Sequence, residues 1–164
     1  MRIGVKAIVW SVLLFWLSAC SANTPSSNVV NTPMVTSLAS DRFCGFKSGA
    51  TIISSPSEKA LQSMAIYQTI TRLKLDWSNY QILRIDMGQQ PNMGYSLEYR
   101  GGATIDSNTL YVPVQWNTPQ PGMMYGQMLV QPCLLLSIPR TGYEQIDIRD
   151  QDGRLRWSVP LSVR

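Results

Sequence analysis

Hydrophobic periodicity changes three times along the chain, and each change marks a different kind of segment. From Ala7 to Leu17 an 11-residue run is apolar except for Ser11. From Ser21 to Ser40, 13 of 20 positions are Ser, Thr, Asn or Pro and none is charged. A helix start follows at Ser55-Pro56-Ser57-Glu58: Ser55 supplies the N-cap hydroxyl, proline occupies the first helical position, and Glu58 closes a capping box. The predicted helix runs to about Arg72. Its apolar residues split between Leu61, Met64 and Ala65 on one side and Ile66, Ile70 and Leu73 on another, so two faces are available for burial.

After Asp76 the period becomes two. Tyr80 to Met87, Tyr95 to Arg100, Thr109 to Trp116, Met128 to Ile138, Tyr143 to Arg149 and Arg154 to Val163 read as strands, each bounded by Gly, Pro, Asn or Asp. Ile146 and Ile148 alternate with Gln145, Asp147 and Arg149, the pattern of a half-buried antiparallel strand. Pro113, Pro139 and Pro160 lack a ladder donor and must sit at edges, bulges or strand ends. Asp150-Gln151-Asp152-Gly153 reads as a hairpin turn with glycine where positive φ is needed. The expected fold is mainly β in the α+β class: an antiparallel sheet or sandwich of six to seven strands with one N-terminal helix. If successive strands alternate in direction, Gly88 to Gly94, Asn117 to Gly126 and Asp150 to Gly153 gather at one end. Gly101 to Asn108 and Pro139 to Gly142 then lie at the other.

The N-terminal run has the form of an export signal, with Arg2 and Lys6 ahead of an apolar stretch too short to span a bilayer. Leu17-Ser18-Ala19-Cys20 then resembles the lipobox of bacterial lipoproteins. That resemblance implies cleavage after residue 19, acyl chains on Cys20 and stable membrane anchoring. By the sorting logic of that family, the resemblance also implies that Ser21 rather than Asp after the cysteine sends the protein to the outer membrane of a two-membrane cell, with the domain in the cell envelope facing the periplasm. Residues 20–40 are expected to be the lipidated cysteine and a flexible tether, and residues 41–164 the β-rich domain.

Charge and residue usage exclude more than they assign. Of 14 Lys and Arg against 10 Asp and Glu, Arg2 and Lys6 leave with the signal, so the mature excess is 12 against 10, or +2. With no basic stripe, nucleic acid is not an expected partner. The chain contains no histidine, which removes every Ser-His or Cys-His nucleophile pair and every His-ligated metal site. No Ser-x-x-Lys or Gly-x-Ser-x-Gly occurs. Asp147, Asp150 and Asp152 stand near Gly153, but Ile148 and Val159 occupy the first and last ligand positions of a calcium loop. No catalytic residue, metal or cofactor is assigned, and the expectation is a protein without enzymatic activity. With Cys20 committed to lipid, Cys44 and Cys133 remain in an exported domain, where a bridge between them is the preferred pairing and two buried thiols the alternative.

Two loops carry the candidate binding residues. Gln90, Pro91, Asn92, Met93, Gly94 and Tyr95 form the first; Pro121, Gly122, Met123, Met124 and Tyr125 lie in the second. Methionine and tyrosine on a proline and glycine frame make an adaptable apolar surface suited to another protein, or else fold back as a lid on the core. Ile85-Asp86-Met87-Gly88-Gln89-Gln90-Pro91-Asn92-Met93-Gly94-Tyr95-Ser96, Pro119-Gln120-Pro121-Gly122 and Gln131-Pro132-Cys133-Leu134-Leu135-Leu136-Ser137-Ile138-Pro139-Arg140 resemble the C-terminal domain of PrcB. PrcB is a lipoprotein subunit of a bacterial surface protease complex. The similarity spans Gly49 to Ile148, beginning with a short strand and a helix, and implies a noncatalytic subunit that binds and stabilises a protease partner. Asn92-Met93 replaces the small Thr-Gly pair usual in that family, and Cys133 stands where an aromatic commonly follows the proline. Pro91-Asn92-Met93-Gly94-Tyr95 also resembles one loop of the chagasin-like peptidase inhibitors, although no Arg-Pro-Trp loop accompanies it. A structural envelope lipoprotein is the remaining alternative.

Overall fold

The computed structural model describes residues 34–57 and 74–161. The signal segment, Cys20, the tether up to residue 33 and the expected helix from Glu58 onward lie outside the described residues.

Ten strands are described: β1 (Thr36–Asp41), β2 (Ser48–Ile53), β3 (Tyr80–Met87), β4 (Ser96–Glu98), β5 (Thr104–Asp106), β6 (Thr109–Pro113), β7 (Gln115–Asn117), β8 (Cys133–Pro139), β9 (Gln145–Arg149) and β10 (Leu155–Pro160). One sheet has the order β1-β8-β3-β2 and a second β10-β9-β6-β5, while β4 and β7 form a separate pair. The fold is mainly β, and β3 and β9 match the expected strands closely, whereas β8 begins at Cys133 rather than Met128, residues 128–132 belonging to the loop that precedes it. Every pairing is antiparallel except β6 with β9. That exception corrects the expectation of alternating neighbours, and its cause is β8. Between β6 and β9 the chain crosses to the other sheet to run as β8, so β9 returns beside β6 in the same direction.

Residues 96–106 and 109–117 make one long hairpin with interrupted arms, β4 pairing β7 and β5 pairing β6. Gly101 and Gly102, at φ +90° and +83°, break the first arm. Val114 breaks the second by giving its amide to Arg149 O across the sheet at 2.8 Å. The expected loop from Gly101 to Asn108 is therefore corrected: it contains β5, and only Ser107 and Asn108 turn the chain. Their φ values of +48° and +64° are those of a type I′ hairpin turn. Gly153 at φ +76° closes the Asp150 to Gly153 turn as its position requires.

The core lies between the two large sheets. Leu83, Ile85 and Met87 of β3 and Leu134, Leu136 and Ile138 of β8 meet Leu110 and Val112 of β6 and Ile146 and Ile148 of β9, all buried. The alternate residues Ile82, Cys133 and Leu135, with Ile53 of β2, form a second buried cluster on the reverse face of the first sheet. Strands buried on both faces read as continuous apolar runs, which is why Cys133-Leu134-Leu135-Leu136 shows no alternation.

β1 corrects the tether boundary. Its sequence Thr-Ser-Leu-Ala-Ser-Asp is polar enough to read as linker, yet Thr36 pairs Ser137 and Asp41 pairs Cys133. An edge strand can be held by backbone hydrogen bonds with little side-chain burial, so composition alone does not reveal it.

At the end of the sandwich where β3 begins, Arg140 holds three backbone carbonyls. Its Nε donates to Trp77 O at 2.8 Å and to Tyr80 O at 3.1 Å, and Nη2 donates to Ser54 O. The Tyr143 hydroxyl donates to Pro139 O. Burial pushes the Tyr143 phenol up to about 12, against the opposing pull of Gln81 and of the Arg140 charge.

Candidate functional site

β3 and β8 are antiparallel neighbours, so the loop leaving Met87 and the loop arriving at Cys133 must meet at one end of the first sheet. Backbone bonds join them there: Gln90 N to Val130 O at 2.7 Å, Val130 N to Gln90 O at 3.0 Å, and Met93 N to Gly126 O at 3.1 Å. Gly94 is where side chains cross. A Cβ on it would stand 2.9 Å from Cδ1 of Tyr125 and 3.0 Å from Cγ of Pro119, so the tyrosine ring rests on bare backbone. Asn92 Oδ1 accepts from Gly94 N at 2.9 Å, setting the turn that presents this glycine. The third loop attaches at the root of the second through Gln151, whose Oε1 accepts from Trp116 N at 2.9 Å. The Arg156 guanidinium lies 4.9 Å from the Trp116 ring centre while its Nε donates to Asp150 Oδ2 at 2.8 Å.

The predicted residues divide by environment. Gln90 is half-buried, its Nε2 donating to Met87 O at 3.1 Å. Asn92, Met93, Gly94 and Tyr95 are half-buried, whereas Pro91, Pro121 and Gly122 are exposed. Tyr125 folds back on the first loop, its hydroxyl accepting from Gln120 N at 3.1 Å. Met123 and Met124 do not fold back; they are 62% and 97% exposed. The lid alternative thus describes the tyrosine and not the methionines.

A third segment, missing from the predicted site, reaches the same end. Residues 42–47, Arg-Phe-Cys-Gly-Phe-Lys, connect β1 to β2 and run beside residues 130–132. Cys44 N donates to Gln131 O at 3.1 Å, Gln131 N to Arg42 O at 2.6 Å, and Gln89 N to Phe46 O at 3.3 Å. Gly88, at φ +74°, allows the approach: a Cβ there would lie 2.9 Å from Ser48 N. Cys44 and Cys133 are disulfide-bonded with Cα atoms 5.8 Å apart. Phe43 and Phe46 are exposed, as are Met128 and Leu129 of the second loop. The expected Cys44 to Cys133 pairing held the signal for this segment, because a bridge to Cys133 carries its flanking phenylalanines to the end of the second loop.

Three carboxylates near these loops are occupied. Asp86 makes a two-pronged pair with Arg84 on the reverse face of the first sheet, at 2.7 and 2.9 Å. Burial raises the Asp86 pKa and the arginine only partly offsets it. Asp150 Oδ1 accepts the amides of Asp152 and Arg154, both at 3.0 Å. Burial would raise its pKa, but these amides and Arg156 outweigh it and hold the carboxyl below the ordinary value. Asp147 Oδ1 accepts from Ser158 Oγ at 2.9 Å and from Gln145 Nε2 at 2.8 Å. Among the described residues, no three His, Cys, Asp or Glu side chains gather as a metal site. What the two converging loops offer is uncharged: residues 88–95 and 118–132 contain no ionisable group other than Tyr95 and Tyr125. Such a surface can bind by desolvation and shape.

No curated protein and no solved structure matches this chain. Residues 82–139, running from within β3 to the end of β8 and so containing both converging loops, match the family model described as PrcB C-terminal.

Proposed function

We propose that the protein is a noncatalytic, lipid-anchored subunit of the cell envelope that binds and stabilises a protein partner, a protease complex being the candidate. The family match covers the segment that carries both loops. The observation that carries the reading is local: Met123 and Met124 stand 62% and 97% exposed on a loop that Pro119, Tyr125, Gly126 and Val130 brace against its neighbour. A braced frame with free apolar tips binds at low entropic cost, since little backbone is ordered on association. The anchor is assigned to Cys20 and the outer membrane, with the domain facing the periplasm.

Affinity capture of the acylated protein from its native membranes tests the reading. A specific partner is expected, and Met124→Asp should weaken its recovery about tenfold. The thermal midpoint should stay unchanged because that side chain touches nothing the fold needs. Recovery of nothing, or an equal loss of fold and capture, would count against the proposal. Slowing of a cysteine peptidase by the isolated protein would instead favour the chagasin-like alternative.

A further inference from the structure

The 42–47 segment turns the loop end into a wider surface whose position relative to the anchor follows from strand direction. β1 and β3 both pair antiparallel with β8 and so run the same way. Thr36, where the chain enters the domain, pairs with Ser137; Asp41, at the other end of β1, pairs with Cys133 beside the loops. The tether from Cys20 therefore joins the sandwich at the end opposite the exposed apolar residues. β3, eight residues long, spans about 27 Å, which separates the two ends of the sheet. With the anchor proposed at Cys20, the loop end is the end of the sheet farther from the point where the chain enters the domain.

The surface is continuous along the backbone. Residues 129–131 lie between Phe43, bridged to Gln131, and Gln90, bridged to Val130. Leu129 and Met128 at 54% and 45% exposure thus connect Phe43 and Phe46, at 51% and 75%, with the methionine tip. Charge enters from the new segment and from the third loop, where Asp152 and Arg154 are exposed. Arg42 and Lys47 are exposed at the two ends of the new segment, and Asp41 Oδ1 is taken up by the amides of Arg42 and Phe43.

Resting on the proposed role as a partner-binding subunit, we infer that Phe43 and Phe46 form one docking face with Met123, Met124, Met128 and Leu129. Its occupant is a protein standing above the membrane that presents an apolar patch with carboxylates at its rim, opposite Arg42 and Lys47. Apolar side chains flanked by cations also suit an anionic lipid surface. The entry of the tether at the far end favours the protein.

Site-specific photocrosslinking in the full acylated chain, in native membranes, tests this. Benzoylphenylalanine is placed at Phe46, at Met124 or at exposed Thr141 in the far-end turn. The expected result is one protein adduct of the same mass from positions 46 and 124 and none from 141. Arg42→Glu with Lys47→Glu should cut both yields about tenfold at low salt and less at high salt. An adduct from 124 alone, or yields indifferent to the charge reversal, overturns this inference and leaves the subunit role standing. Lipid adducts at 46 replace the protein occupant with the membrane. Adducts from 141 only, or from no position, overturn both.

Discussion

Breaking the Cys44 to Cys133 bridge should cost this domain a large part of its stability while leaving its native structure nearly unchanged. The bridge joins positions 89 residues apart. In the chain-entropy account, opening a loop of that length frees the unfolded chain by about 4 to 5 kcal/mol, against a total of about 5 to 15 kcal/mol for a typical domain. The folded state loses less, because Cys44 N to Gln131 O and Gln131 N to Arg42 O keep the 42–44 segment in place without the covalent link. Cys44→Ser is the cleaner perturbation. Cys44 is half-buried, whereas Cys133 is fully buried among Ile53, Ile82 and Leu135, where a serine hydroxyl would add a desolvation penalty of its own.

The assay is urea unfolding of the oxidised protein, the reduced protein and Cys44→Ser. With a urea slope of about 1.5 kcal/mol per molar, the midpoint should fall by about 3 M, equally in the last two. The slope should rise slightly, since an uncrosslinked chain exposes more surface when it unfolds. Coincident oxidised and reduced curves would refute the entropic argument. A shift well under 1 M, with faster amide exchange confined to residues 42–47, would show that the bridge only fastens a loop.

Other perturbations probe the polar interior. Tyr143 has its pKa raised, so the folded state retains a proton that the unfolded state gives up; its stabilisation is complete below about pH 10 and is lost as pH climbs toward 12. Tyr143→Phe should cost about 1 kcal/mol at neutral pH through loss of the Pro139 bond, yet flatten the decline measured from about pH 9 to about 11.5; an unchanged alkaline slope would exclude this residue as its source. Asp86→Asn strands the nearly buried Arg84 guanidinium and should destabilise by about 3 kcal/mol. Replacing both by Leu and Met should recover most of that in urea melts, and a double variant no better than the single one would show that the pair itself stabilises. Asp150, with its pKa lowered, stabilises above the unfolded carboxyl value, and that stabilisation is lost as pH falls through the lower folded value. Asp150→Asn should therefore blunt acid unfolding, and melts showing the same acid midpoint as the parent would contradict it.

Legibility from sequence tracked the kind of force involved. β3 reads correctly from Tyr80 to Met87 because apolar burial fixes its limits, and the 150–153 turn because Gly153 needs positive φ. β1 and β5 escaped for the opposite reason. Thr36–Asp41 is held by its ladder to β8, and Thr104–Asp106 is a three-residue strand between two left-handed glycines and a type I′ turn. Neither leaves a periodic apolar trace. The parallel pairing of β6 and β9 was equally hidden, since alternation along each strand is the same whichever way its neighbour runs.

The candidate site was partly legible because strand direction survives such errors. Adding β5 and splitting off β7 did not change which end of the sandwich receives which loop: β4 and β5 descend together and β6 and β7 ascend together, so each pair acts as one arm. Loops 88–94 and 117–126 therefore meet as the parity of the strands requires. The 42–47 segment lay outside that reasoning because β1 and β2 were not counted among the alternating strands. Its phenylalanines sit beside a cysteine whose partner, Cys133, opens β8. The β1 ladder and the backbone bonds of residues 42–46 carry Phe43 and Phe46 to the loop end, and the Cys44 to Cys133 pairing is the trace of that approach in the sequence.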